Sequence, residues 1–353
     1  MSERRHPDFE AAPEPTETLW RSFSRRTLLR TAGAAGIAAP FVALGSHVRA
    51  DSVAAPAKKS LKLTWNANAI CTVAVPAALQ RGVFAKHNLD VDLVNFGGST
   101  DQLLEALATG KADAGVGMAL RWLKPLEAGF DVKLTAGIHG GCIWLLAAKN
   151  SGITDIKSLK GKTIGVGDMA GADRNFFVIL LTKHGLDPNK DVEWRQFPPD
   201  LLTLAIQKGE AHAVSTADPI AYIWKKKYDL VEIAGNLTGD YAHRVCCVLG
   251  IRGSLIRDDL PTARALTQAL LESGEWVANN PDAAAQIFSK YSPAPVADLS
   301  AMLRAHTHHH HPVGADFKKE IALYADELKL VSVMKASTDS AKYANRVYAD
   351  VLG

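Results

Sequence analysis

The side chains best suited to holding a small molecule stand in a few short clusters. In Phe96-Gly97-Gly98-Ser99-Thr100-Asp101-Gln102, two glycines precede Ser99 and Thr100, and Ser99 and Gln102 have capping-box spacing. A helix amino terminus there would offer free N–H groups and a partial positive charge to an anion. A plain helix cap accounts for the same residues without a ligand. Trp65, Asn66 and Asn68 close a short apolar run, while Arg121-Trp122 and His139-Gly140 follow others. Arg or His beside Trp, with amides nearby, is a reasonable lining for a small anion. Each of these residues also has an ordinary structural use, as core, solvated face or turn former. What sets them apart is a shared position at strand ends.

Gly165-Val166-Gly167-Asp168-Met169-Ala170 matches the loose dinucleotide pattern G-x-G-x-x-[GA] after an apolar run. That pattern needs an acidic residue ending the next strand to hold a ribose. Here the next strand runs into Phe197-Pro198-Pro199-Asp200, and two prolines spoil such a turn. The loop, with Asp168, Met169 and the following Arg174, is therefore read as ligand-facing, and Asp218, after the later strand Ala213–Ser215, is a further candidate. No hydrolase elbow, zinc-protease helix or kinase lysine loop occurs, so no catalytic residue and no organic cofactor are assigned.

His306-Thr307-His308-His309-His310-His311 places five imidazoles within six residues. His is the commonest metal-binding side chain, so a divalent transition metal at His306, His308 and His310 is expected as a secondary property. A solvent-exposed loop before Pro312 is the alternative. The four cysteines are Cys71, Cys142, Cys246 and Cys247. On a strand the last two point to opposite faces, and a bridge between them would be strained. The expectation is buried, reduced thiols rather than a disulfide framework.

The elements that must position these residues alternate. Strands are predicted at Leu61–Trp65, Val91–Phe96, Ala114–Met118, Val132–Gly137 and Ile143–Ala148, with helices over Ala74–Lys86, Ser99–Thr109 and Leu120–Glu127 between them. A second series begins at Thr163–Val166 and continues through Val192–Phe197, Ala213–Ser215 and Leu230–Ile233. Val245–Arg252 is rich in β-branched residues, and mostly helices follow. Such alternation means α/β lobes with mainly parallel strands. Leu107-Ala108-Thr109-Gly110-Lys111-Ala112-Asp113-Ala114 recurs in form as Ile206-Gln207-Lys208-Gly209-Glu210-Ala211-His212-Ala213. Both copies end a helix on a glycine suited to the left-handed cap and then open a strand. Two similar lobes explain that better than one continuous sheet.

At 353 residues the chain is long enough for two lobes, since single cores stop growing near ~250–300 residues. Apolar residues make up 47% and charged residues 22%, both ordinary for a globular protein. The formal net charge is +3, and the first fifty residues hold seven Arg against five acids, leaving the remainder near neutrality. That gives no footprint for nucleic acid. Ser24-Arg25-Arg26-Thr27-Leu28-Leu29-Arg30, then Thr31–Leu44 and Val48-Arg49-Ala50, has the three-part layout of a twin-arginine signal peptide over residues 1–50. Asp51 stands where a lipoprotein needs Cys, so the expected location is the periplasm, free of an anchor.

Gln80-Arg81-Gly82-Val83-Phe84-Ala85-Lys86-His87-Asn88-Leu89-Asp90-Val91 resembles the opening segment of the periplasmic binding proteins for nitrate, taurine and alkanesulfonates. Ile156-Lys157-Ser158-Leu159-Lys160-Gly161-Lys162-Thr163-Ile164-Gly165-Val166 is similar to that family's entry into its second lobe. The two glycine-led echoes belong to the same pattern, and thiamine-precursor binders are relatives. The resemblance implies a type II-like periplasmic-binding-protein fold, two similar α/β lobes joined by two hinge strands. Lobe one would be 61–147 plus 250–353 and lobe two 148–249, with hinges at Leu145–Lys149 and Val245–Leu249. It further implies a monomeric receptor of an ABC importer that delivers a small anion to membrane permease subunits, and not an enzyme. Some thiamine-precursor relatives make a pyrimidine with a Cys-rich run. Cys246-Cys247 with His243 is similar to it only in part, which leaves a metal-linked or pyrimidine-related protein or enzyme using the His and Cys clusters as the alternative.

Overall fold

Ten short strands rich in Val, Ile, Leu and Ala form two five-stranded sheets among the described residues. The computed structural model describes residues 57–96, 100–307 and 309–353. The expected signal peptide lies outside them. Strands β1 (Lys59–Trp65), β2 (Leu89–Asn95), β3 (Ala114–Met118) and β4 (Val132–His139) precede β5 (Ile143–Ala148) and β6 (Lys162–Val166). They are followed by β7 (Val192–Gln196), β8 (Ala213–Ala217), β9 (Leu230–Gly235) and β10 (Cys247–Arg252).

The first sheet has the order β2-β1-β3-β10-β4 and the second β7-β6-β8-β5-β9. In each, three parallel strands are followed by one antiparallel strand, β10 or β5, and then by the outermost strand. The sheets are therefore built to one plan, and each is mainly parallel, as the alternation of strand and helix requires. The two sequence echoes land on equivalent places. Gly110 and Gly209 both adopt φ +72°, which glycine reaches without a Cβ penalty. Ala112 N–H donates to Ala106 O at 3.0 Å and Ala211 N–H to Ala205 O at 3.1 Å. Asp113 N–H donates to Lys62 O and His212 N–H to Thr163 O, at 2.9 and 2.8 Å, opening β3 and β8 as the third strand of their sheets.

Two boundaries differ from expectation. The single helix over Ala74–Lys86 is two, Ala74–Gln80 and Val83–Lys86, because Gly82 between them turns left-handed at φ +69°. The hinge expected at Leu145–Lys149 is also displaced. β5 lies wholly within the second sheet, paired on both sides, so the chain leaves the first sheet earlier, through Gly140–Cys142. It returns between β9 and β10, through residues 236–246.

The helices after β10 come back to the first sheet. Ser273 Oγ donates to Ala74 O at 2.7 Å, Tyr343 OH to Leu123 O at 2.6 Å, and Ala349 N–H to Leu134 O at 2.9 Å. Beneath that sheet Trp122 is fully buried, and glycine makes room for it. A Cβ added at Gly250 would lie 2.0 Å from the Trp122 ring, and one at Gly117 would lie 2.6 Å from its Nε1. Gly250→Ala should cost about 2 kcal/mol through overpacking. Gly110→Ala and Gly209→Ala should cost about 1 kcal/mol each, through the left-handed backbone, and to equal degree. Urea unfolding of the three variants checks both magnitudes and the equivalence.

Candidate functional site

Ligands of open α/β sheets bind beyond the carboxyl ends of parallel strands. In this chain those ends, from both sheets, meet where the chain crosses twice. A cavity of about 30 Å³ lies at the ends of β1, β2 and β3, lined by Trp65, Asn66, Cys71, Phe96, Met118 and Cys247 among others. A second, of about 10 Å³, lies between the sheets against Met118, Leu120, Ile143, Phe176, Asn236 and Cys246. Spaces this small hold about one water each, so the sheet ends are closed on one another. Their linings are mostly aliphatic and aromatic, with amide, hydroxyl, thioether and thiol groups and no charged side chain.

Polar side chains hold the junction shut. Asp218 is 3% exposed, yet its carboxylate is fully used. Oδ2 accepts from Trp144 Nε1 at 2.9 Å and meets His306 Nε2 at 2.8 Å, while Oδ1 accepts from Tyr222 N–H at 3.1 Å. The Asp218 backbone reaches both sides: its N–H donates to Cys142 O, and its O accepts from Ile70 N–H. The His306 ring packs edge-on to His139, whose Nδ1 lies 2.6 Å from Gly140 O. Asn236 Oδ1 accepts both Cys142 N–H and Ile143 N–H, at 2.9 and 2.7 Å, fixing the first crossing. Gly140 and Gly141 are required here, since a Cβ on either would lie within 2.5 Å of Thr307 or Asn236.

At the rim, Arg121 Nη1 donates to Ala170 O at 2.6 Å and Nη2 lies 3.7 Å from Asp168. Asn175 Nδ2 donates to Leu120 O at 3.1 Å. Both contacts join the helix after β3 to the loop and helix after β6. Asp173, in the first turn of that second helix, is buried against Ser215 Oγ at 2.7 Å, and burial pushes its carboxyl above the usual range.

The sequence-predicted residues thus divide. Trp65 and Asn66 line the larger cavity, and His139, Gly140, Asp218 and His306 form the junction. Asn68 is exposed, and its N–H donates to Asn66 Oδ1 at 2.9 Å within the turn after β1. Thr100 opens the helix Thr100–Ala108, while Ser99 and His308 lie outside the described residues. Trp122 is fully buried, in room that Gly117 and Gly250 leave beneath the sheet. Arg174 lies over the Trp194 ring at 5.1 Å, and Met169 is exposed. The described histidines His306, His309 and His310 each face a different carboxylate. His306 faces Asp218, His310 faces Glu320 at 2.5 Å and His309 faces Glu275 at 3.5 Å. Among the described residues no group of three or more His, Cys, Asp or Glu is placed to hold a metal ion.

The four cysteines are free and buried, as expected from the sequence, but their convergence was not foreseen. All four cysteines are buried at the junction. Cys71 Sγ lies 3.3 Å from Cys247 Sγ, Cys142 contacts Cys71 and Cys246, and Cys246 contacts Cys247. Cys142 and Cys246 end the two crossings and Cys247 opens β10, whereas Cys71 lies in the turn after β1, so no common sequence signal marks the four.

A family model described as NMT1/THI5 like matches residues 72–284. The chain belongs to this family. The family resemblance read from the sequence is thereby borne out, and nitrate- and sulfonate-binding proteins are among the solved structures that match. The periplasmic nitrate-binding protein NrtA from Synechocystis PCC 6803 is 16% identical, with a TM-score of 0.71 over 85% of this chain and 88% of that one. The alkanesulfonate-binding protein SsuA from Xanthomonas axonopodis pv. citri, bound to MOPS, is 19% identical, with a TM-score of 0.69 over 84% and 99%. The ligand-binding component of an ABC-type import system from Staphylococcus aureus, with zinc bound, is 14% identical, with a TM-score of 0.67 over 84% and 98%. These share the periplasmic-binding-protein fold. No curated protein matches the chain by sequence.

A second charged cluster ties the return crossing to the carboxyl-terminal helices. Glu327 Oε1 accepts from Tyr241 OH and from Arg244 Nη1, each at 2.9 Å, and from Lys183 Nζ. The Arg244 guanidinium lies over the Tyr324 ring at 4.0 Å. Burial works to raise the Glu327 carboxyl, but Arg244 and Lys183 outweigh it and hold it below the usual range. A depressed folded-state pKa stabilises above the unfolded value, about 4.3, and that contribution is lost as pH falls through the folded value. Glu327→Gln should therefore be less stable than the parent at pH 7, with the difference shrinking below about pH 4. Denaturant unfolding across that range measures it.

Proposed function

We propose that this chain is the extracytoplasmic solute-binding receptor of an ABC importer, a binding protein rather than an enzyme. It captures a compact solute between two lobes and hands it to membrane permease subunits. The observation that carries this reading is the position of the cavities, beyond the parallel strand ends of both sheets, at the place where the chain crosses twice. A hinge at such crossings lets the sheets part and close around a solute. The lobe boundaries proposed are accordingly Gly140–Cys142 and 236–246.

The proposed solute is a small anion. The nitrate and alkanesulfonate binders that share the fold support that class. Arg121, next in sequence to the cavity-lining Leu120, supplies positive charge at the rim and joins the lobes through Ala170 and Asp168. Charge-assisted hydrogen bonds contribute ~1.5–3 kcal/mol each, so Arg121→Ala should weaken binding roughly ten- to a hundredfold. A thermal-shift screen with nitrate, taurine and alkanesulfonates tests the reading. At least one should raise the unfolding midpoint of the parent and do so less in Arg121→Ala. If none raises it, the anionic class is wrong.

The proposed location is the periplasm, reached by the twin-arginine route. Among the described residues no helix is long and apolar enough to cross a membrane. Changing Arg25 and Arg26 together to Lys should leave full-length precursor in the cytoplasm, read by fractionation and immunoblot. Normal export of that variant would remove the route.

A further inference from the structure

We propose that Cys71–Cys247 and Cys142–Cys246 are two disulfide pairs, formed by thiol–disulfide exchange, that staple the crossings between the sheets. The proposal rests on the extracytoplasmic location argued above, because exported proteins meet disulfide oxidants and cytosolic ones are kept reduced.

The geometry selects the pairing. The four thiols contact one another in a closed ring: Cys71 with Cys142, Cys142 with Cys246, Cys246 with Cys247, and Cys247 with Cys71. A ring of four contacts allows only two complete pairings. One of them bridges the adjacent residues Cys246 and Cys247. The Cα atoms of adjacent residues lie ~3.8 Å apart, short of the roughly 4.4 Å or more that a relaxed disulfide spans, so such a bridge is strained. The other pairing remains. Cys71 Sγ and Cys247 Sγ are 3.3 Å apart, and closing to a bond of ~2.05 Å needs about 0.6 Å of movement from each sulfur.

The positions give the pairs a consequence. Cys142 ends the first crossing and Cys246 ends the return crossing, so their bond would tie the two connections together. Cys71, in the turn at Ile70–Thr72, and Cys247 both line the larger cavity, so their bond would form part of its wall. Burial has removed these thiols from solvent in the closed form, and parting of the sheets would admit an oxidant. The chemistry is balanced by that oxidant. A thiolate of one cysteine attacks the oxidant's disulfide, and its partner's thiolate then displaces the mixed disulfide. Two thiol protons go to solvent and two electrons reduce the oxidant to its thiols, once for each pair. Exchange is favoured by thiolate at neutral pH: the contact from Cys142 brings Cys71 down to about 6, and contacts from Cys142 and Cys247 hold Cys246 well below the ordinary thiol range.

The test uses the purified full chain, reduced and then exposed to oxidised glutathione at pH 7.5, quenched in acid and alkylated. All four thiols should be lost to alkylation, and peptide mapping should recover Cys71 joined to Cys247 and Cys142 joined to Cys246. Reducing the oxidised protein should lower its thermal midpoint by about 5 °C or more. Cys142→Ser should still form Cys71–Cys247 and leave Cys246 alkylatable, which keeps the pairing testable in a second background. Thiols that remain alkylatable, stable glutathione adducts, or a Cys246–Cys247 peptide would each overturn the proposal. None of these outcomes depends on the solute or on the export route, so failure here is distinct from failure of the receptor reading.

Discussion

A carboxylate buried at 3% exposure must be fully partnered or it destabilises the fold by several kcal/mol. Asp218 meets that requirement with groups from separate parts of the chain: Trp144 on β5, Tyr222 on the next helix, and His306 from the carboxyl-terminal region. Its own backbone adds Cys142 in the first crossing and Ile70 beside β1. Satisfying one charge therefore fixes where both sheets, the crossing and the last third of the chain stand relative to one another. The cavities exist in the spaces that this arrangement leaves.

The crossings obey a related constraint. Backbone N–H groups that leave a sheet lose their ladder partners and need others when buried. Asn236 supplies one oxygen to two of them, Cys142 and Ile143, and Glu320 Oε2 accepts from Val245 N–H at 2.6 Å on the return. Side-chain acceptors thus stand in for sheet neighbours at both connections. Such bonds are fewer than those of a ladder, which suits the hinge role proposed for these segments.

The strand exchange gives the same logic at larger scale. β5 follows the first sheet in sequence but pairs in the second, and β10 follows the second but pairs in the first. Each antiparallel strand is therefore the anchored end of a crossing. Under the proposed opening of the lobes, motion of one sheet against the other would be taken up in residues 140–142 and 236–246. The thiols of Cys142, Cys246 and Cys247 are concentrated at these connections, and Cys71 meets them from the turn after β1.

Much of the fold was legible in the sequence, for local reasons. Alternating apolar segments dictate strands and helices, and the glycine-led echoes at Gly110 and Gly209 require the same left-handed turn wherever they occur. Strand ends such as Trp65 and Asn66 could be named as lining because a strand's direction is set by its own residues. Local pattern does not say which strand pairs with which across a hundred residues. That choice moved the first crossing to Gly140–Cys142, sent Trp122 beneath its sheet and separated His306 from His310. The meeting of Cys71 with Cys142, Cys246 and Cys247 has the same origin. Their proximity is set by burial of two sheets against shared polar anchors, a property of the packed whole that no segment carries alone.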